Sequence, residues 1–179
     1  MNIPTLHAER LILRAPTAED FPAYRKFYAD RRATAAYGGP LRAGLAWRKL
    51  AADIGHWSLR GFGMWTIEEK ASGRAIGGCG IVWPEDWPRH ELTWWMAPAA
   101  RRQGYALEAS RAAIGWAYDE LGWDRVETHM NDGNQPARRL AEKLGGTIIG
   151  REVFPDGIAR NIYLLPRPET MKESRHAAR

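Results

Sequence analysis

At 179 residues the chain has material for one domain with a substantial core and too little for two. Apolar residues at 45% and charged residues at 26% exclude a disordered or fibrous chain, and no apolar run approaches the ~20 residues of a membrane-spanning helix. The net charge is a modest +5, and the last fourteen residues hold four Lys/Arg against two Asp/Glu, so the body carries no general nucleic-acid signature.

The single cysteine, Cys79, cannot form an internal disulfide, and its apolar surroundings from Ile76 to Trp83 suit a core residue rather than a nucleophile. No charged-then-apolar leader opens the chain, so the expected compartment is the cytoplasm. Nine tryptophans are many for this length, and Trp57, Trp65, Trp83, Trp87, Trp94 and Trp95 fall in or beside expected strands, as core or as cleft lining.

Leu11 to Leu13 reads as a first strand that ends at Pro16, and Thr17 then caps a helix whose Glu19 and Asp20 suit its positive end. Phe21, Tyr24, Phe27 and Tyr28 fall at helical spacing. After a loop over residues 35 to 40, the helical period returns from Leu45 to Leu59 and is broken by Gly61 and Gly63. Met64 to Glu69 and Ala75 to Trp83 read as strands joined by Lys70-Ala71-Ser72-Gly73, a connection short enough to require antiparallel pairing. An aromatic loop, Pro84 to Pro88, precedes a fourth strand from His90 to Met96, which Pro98 ends.

Gly104 to Leu121 forms a long helix with Leu107, Ser110, Ile114, Ala117, Tyr118 and Leu121 on one face, followed by a fifth strand from Val126 to Met130. Asn134 stands just before a helix whose Ala137, Leu140, Ala141 and Leu144 repeat at i, i+3, i+4, i+7 before Gly145 stops it. Thr147 to Val153 and Ile158 to Leu165 close the domain as a strand pair around Pro155-Asp156-Gly157. The expected organisation is one domain over residues 1–165 with a frayed tail at 166–179. Early hairpins with one late strand–helix–strand crossover predict a mixed α/β (α+β) sheet, open at that crossover.

The stretch with the most chemical content is Arg101-Arg102-Gln103-Gly104-Tyr105-Ala106, a basic glycine-containing turn between a strand and a helix N-terminus. Such a turn aims several backbone N–H groups at one spot, and the helix dipole favours negative charge there, as in a pyrophosphate cradle. It is neither a Walker loop nor the three-glycine dinucleotide fingerprint. An ordinary turn with solvated arginines is the alternative.

The hexad resembles the Arg/Gln-x-x-Gly-x-Gly/Ala signature of the GNAT superfamily of acyl-CoA-dependent N-acetyltransferases. Glu9-Arg10-Leu11-Ile12-Leu13-Arg14, Glu91-Leu92-Thr93-Trp94-Trp95-Met96-Ala97-Pro98 and Asn134 to Gly145 are similar to the branch containing ribosomal-protein N-terminal (alanine/serine) acetyltransferases. The resemblance covers roughly residues 5 to 165. It implies a mostly antiparallel sheet of about seven strands with flanking helices, its fourth and fifth strands splayed around the thioester arm, and the two early helices forming part of the acceptor wall. It implies acetyl-CoA as cosubstrate, no metal, and an amine as acceptor: a protein N-terminus, a small-molecule amine or an RNA-linked aminoacyl group. Neither membrane nor nucleic acid is required, and a homodimer stays open.

Under this reading, main-chain groups of Trp94, Trp95 and Met96 bond the pantetheine arm as a false strand. Amides from Arg102 through Gln103, Gly104, Tyr105 and Ala106 to Leu107 take the diphosphate, with charge from Arg101 and Arg102. The resemblance gives Asn134 a contact to the pantetheine region; a plain helix cap is its alternative. Strand alternation places Glu91, Thr93 and Trp95 on one face, so Glu91 is the preferred base, acting directly or through water; a solvent-facing or salt-bridged carboxylate is its alternative. His90 and His129 are weaker candidates.

Ala141 stands where many relatives carry the tyrosine that protonates the departing thiolate, and Ala137 replaces a frequent serine. Solvent, Thr93 or Tyr105 would have to serve instead. A non-catalytic CoA-binding domain is therefore a competing reading.

Overall fold

The computed structural model describes residues 2–35 and 38–169. Most of the expected frayed tail, residues 170–179, lies outside them. Among the described residues the chain forms eight strands: β1 Leu6–His7, β2 Leu11–Arg14, β3 Met64–Glu69, β4 Arg74–Val82, β5 Glu91–Met96, β6 Val126–Met130, β7 Thr147–Val153 and β8 Ala159–Leu165. Four α-helices accompany them: α1 Phe21–Ala29, α2 Ala43–Arg60, α3 Tyr105–Asp119 and α4 Gln135–Lys143. The elements read from periodicity recur within one or two residues of their expected bounds. β1 had no sequence signal, because two residues cannot display an alternation.

The strands form two hydrogen-bonded sheets, ordered β1-β2-β3-β4-β5 and β6-β8-β7, with every pairing antiparallel. The expected sheet of about seven strands, splayed at its fourth and fifth, is thus met as two antiparallel ladders. The break falls between the strands read as fourth and fifth, β5 and β6, so the splay is complete enough to divide the ladder.

Alternation sorts the large sheet into two packed faces. Leu11, Leu13, Trp65, Ile67, Cys79, Ile81 and Leu92 meet Ala109, Ala113, Ile114 and Ala117 of α3. Trp95 and Met64 instead join Tyr24, Phe27, Tyr28, Ala46 and Leu50 of α1 and α2. Asp20 is not the solvated dipole partner that its place after Thr17 suggests. It lies buried in a short 3-10 turn, Ala18–Asp20, where its carboxylate accepts from Arg14, from Thr66 Oγ1 at 2.7 Å and from the Thr17 N–H at 2.9 Å. This hub ties the start of α1 to β2 and β3.

Gly80 permits the close approach of β4 to the chain entering β3. A Cβ there would stand 2.1 Å from the Gly63 carbonyl oxygen and 2.6 Å from Met64 Cα, and neither is the end of a flexible side chain. Gly80→Ala is therefore expected to cost about 3 kcal/mol through overpacking, read as a lower denaturation midpoint at unchanged m-value. A midpoint within experimental scatter of the wild type would contradict this account.

Candidate functional site

A cleft of about 780 Å³ opens where β5 and β6 part, within the usual range for small-molecule sites. At one end the two strands are stitched: Thr128 Oγ1 donates to the Leu92 carbonyl at 2.8 Å, and Arg89 ahead of β5 grips Glu127 of β6 at 2.6 Å and Glu152 of β7 at 2.7 Å. Beyond that stitch the strands diverge. Trp94, Trp95 and Met96 line one wall, and Asn131, Gly133, Asn134, Pro136 and Ala137 line the other.

The bond from Ala97 N–H to the Ile76 carbonyl sets the phase of β5. Residues in step with Ala97, including Trp95, turn their main chain to β4, whereas Leu92, Trp94 and Met96 turn theirs toward the cleft side. Arg101 Nε donates to the Met96 carbonyl at 3.2 Å. Of the three residues expected to offer backbone to a ligand, Trp95 offers its ring instead, edge-on to Tyr24 at 4.7 Å.

The expected cradle forms the floor. Arg102 (φ 61) and Gly104 (φ 82) both take the left-handed conformation, flanking Gln103 at the start of α3. Alternating conformations of this kind turn successive N–H groups to one side. The first bond of α3 runs from Glu108 N–H to the Gly104 carbonyl at 3.1 Å, so the amides of Tyr105, Ala106 and Leu107 precede the ladder, and no side chain caps them. Arg101, Arg102, Gly104, Tyr105, Ala106 and Leu107 all line the cleft; Gln103 does not, its side-chain amide donating to the Ala99 carbonyl at 2.9 Å.

Arg32, Arg139 and Lys143 also line it, which sequence reading missed; Arg139 and Lys143 stand at i, i+4 on the same face of α4, the signal that could have exposed them. Among the described residues five cations and no carboxylate line the cleft, a charge set suited to a polyanion such as the diphosphate and phosphate of CoA.

Arg10, quoted in the opening motif but given no role there, braces this floor. Its backbone N–H and Nε donate to the two Glu108 oxygens at 2.6 and 2.8 Å, its Nη1 to the Gln103 carbonyl at 2.9 Å, and its guanidinium lies 4.5 Å over the Tyr105 ring. By holding the Gln103 carbonyl outward it keeps the loop amides facing the cleft. Arg10→Ala is expected to weaken CoA about 10-fold, the value of roughly one charge-assisted hydrogen bond. Calorimetry with CoA and with pantetheine separates a loop effect from general damage, because only the diphosphate-bearing ligand should lose affinity.

Asn134 caps α4, its Oδ1 accepting from Ala137 N–H at 3.3 Å, and it also lines the cleft. The cap uses the oxygen, so its amide NH₂ is the group suited to meet a ligand carbonyl. Ala141 is fully buried among Met130, Ala137 and Tyr163. Tyr105 donates its hydroxyl to Glu69 on the outer side of α3, which removes it as a proton donor toward the cleft.

Glu91 does not line the cleft; it stands three residues along β5 from Trp94, about 10 Å at the usual strand rise. Its Oε2 lies 3.4 Å from Nε2 of His129, and that nitrogen already accepts from Trp87 Nε1 at 3.3 Å. A lone pair so engaged faces a protonated carboxyl better than an ionised one. Burial pushes Glu91 up to about 8 against the opposing charge of Arg160, while burial, aided by Arg160 and Arg89, pushes His129 down to about 3. The Glu91 side chain keeps 21% of its area open, enough for water to reach it. His90 packs on the Trp123 ring at 4.4 Å and its charge bears on His129.

The family model described as Acetyltransferase (GNAT) domain matches residues 10–147. A crystal structure of an acetyltransferase from Agrobacterium tumefaciens is 32% identical, with a TM-score of 0.84 over 93% of this chain and 96% of that one. The Bacillus subtilis protein YkkB is 29% identical over 111 residues, a match that spans 58% of this chain and only 64% of YkkB. RimL, a ribosomal L7/L12 α-N-protein acetyltransferase, shares the fold at a TM-score of 0.74 and 16% identity, over 92% of this chain and 94% of RimL. With the model running from the Arg10 brace through the cradle to the far side of α4, the chain belongs to the GNAT acetyltransferase family.

Proposed function

We propose that this protein transfers an acetyl group from acetyl-CoA to a primary amine, both bound together, with a protein N-terminal α-amine as the acceptor type its chemistry suits best. The observation that carries the reading is the floor of the cleft, where two left-handed residues and an uncapped helix N-terminus turn amides into a site whose charged lining, among the described residues, is all cationic. Bound there, acetyl-CoA would supply an acyl group already activated as a thioester.

The protein's share is then mainly placement, worth ~7 to 11 kcal/mol of barrier when two reactants are held in attack geometry. The stitched end of β5 and β6 fixes the depth at which the cleft stops, and Trp94 with Asn134 narrows its walls. Glu91 would receive the proton of an ammonium through water, from beyond that end. A carboxyl raised to about 8 matches an α-amine, whose reference pKa is ~7.7 to 8.0, far better than a lysine at ~10.4.

Buried Ala141 favours a second reading, a CoA-binding module without efficient transfer. Purified protein, acetyl-CoA and a panel of α-amine peptides, lysine peptides, polyamines and aminoacyl-RNA mimics decide between them by thiol release and acetyl mass gain. Transfer to α-amines supports the proposal. Heat on CoA titration with no thiol released by any amine would replace it with the binding module.

A further inference from the structure

The chain's charge is not spread evenly. From Phe21 to Arg60, the span of α1, α2 and their connection, eight Lys/Arg stand against two Asp/Glu, a net +6 when the whole chain carries +5. The remainder is therefore close to neutral. All eight cations, Arg25, Lys26, Arg31, Arg32, Arg42, Arg48, Lys49 and Arg60, are exposed.

The two acids of this span offset little of this charge, Asp53 bearing on Lys49 alone. Asp30 spends Oδ1 on the Ala33 N–H at 2.7 Å, and Asp53 spends Oδ2 on the Tyr24 hydroxyl at 2.7 Å, in surroundings that push its carboxyl up to about 6. Arg60 is paired with Glu85; among the described residues the other seven cations have no ion-pair partner. Helix stability accounts for only two of them, Lys26 and Arg60, which stand in the last turns of α1 and α2 where the dipole favours a cation. Arg42 occupies the N-cap of α2, whose first turn holds no acidic residue and no side-chain cap, so this cation opposes the helix dipole. Between the charges α2 exposes Leu45, Trp47, Ile54 and Leu59, at 45%, 47%, 38% and 84% of their areas. This arm adjoins the cleft, since Phe27, Arg32, Ala33 and Ala35 line it.

We infer that the α1–α2 arm docks an acidic polypeptide and delivers its terminal amine to the cleft, an inference that rests on the amine-transfer reading. A field of uncompensated cations at the mouth of a site raises the local concentration of an anionic substrate. A phosphate backbone would use the charges equally well, but Leu45, Ile54 and Leu59 are aliphatic and the exposed Trp47 is engaged edge-to-face with Phe21 at 5.1 Å, so the face suits the apolar side chains of an acidic peptide better than a row of stacked bases.

The test uses fluorescein-labelled peptides of equal length, one rich in Asp and Glu with interspersed Leu and one neutral, read by anisotropy on the full chain. The acidic peptide is expected to bind at least ~10-fold tighter at 50 mM salt and to lose most of that advantage by 200 mM, through screening of exposed charges. The variant R25Q/K26Q/R48Q, whose positions do not line the cleft, should weaken the acidic peptide and leave the neutral peptide and CoA unchanged. Equal affinity for both peptides overturns the inference, and so does a 20-nucleotide RNA that binds more tightly than the acidic peptide. Binding without transfer would defeat only the catalytic reading; transfer without charge preference would defeat only this one.

Discussion

Gly104→Val is expected to abolish usable CoA affinity, with a loss of about 100-fold in calorimetry and a fall of only several degrees in thermal midpoint. Gly104 sits at φ 82, where a β-branched residue costs of the order of 1–3 kcal/mol in backbone strain. Its Cβ would also stand 3.3 Å from Arg10 Nη2, so relief of the strain would push against the brace that holds the Gln103 carbonyl. Both effects turn the amides of Tyr105, Ala106 and Leu107 away from a common point, and an anion held by several N–H groups loses all of them together. The loop lies at the protein surface, so the cost falls on the ligand more than on the core. A variant that binds CoA within threefold of the wild type would show that the loop amides are not what grips it.

Glu91→Gln carries the second large effect. Loss of a general base typically costs ~10²- to 10⁴-fold, and kcat at pH 7 should fall by that order with the Kd for CoA unchanged, since Glu91 lies outside the cleft lining. Residual activity should recover as pH rises past that of the acceptor amine, where unprotonated amine is present without help. In the wild type, kcat/KM should climb with pH toward about 8, as Glu91 loses its proton.

The same group leaves a mark on stability. Its folded pKa, about 8, lies above the ordinary value of 4.5, so the folded protein holds this proton more tightly than the unfolded chain does. That contribution is complete below about 4.5 and is lost as pH rises to about 8. Glu91→Gln, neutral throughout, should therefore gain on the wild type in thermal midpoint across that window. His129 acts in the opposite sense: its depressed pKa makes the folded state lose stability as pH falls below 6.5. Parallel midpoints for wild type and Glu91→Gln from pH 5 to 8, with kcat at pH 7 preserved, would remove Glu91 from the mechanism.

Part of this candidate site was legible in the sequence. The hexad from Arg101 to Ala106 offered an anion cradle or an ordinary solvated turn, its resemblance to the family signature favoured the cradle, and the 3.6-residue period placed α3 and α4. The order of hairpins and crossover also foretold where the sheet would open. These are local properties, carried by neighbours along the chain.

What needed the folded molecule was contact between distant segments. Arg10 reaches Gln103 and Glu108 across more than ninety residues, and Thr128 closes on Leu92 across thirty-six, so neither pairing leaves a periodic trace. The phase of β5, which turns the main chain of Trp95 to β4 and that of Trp94 toward the cleft side, is set by pairing with β4 rather than by composition. Glu91 shows the division most sharply. Its place on a strand face followed from alternation alone. Its raised pKa, its distance from the cleft and its partnership with His129 follow from burial against β6, because the cost of charge depends on what surrounds it in space.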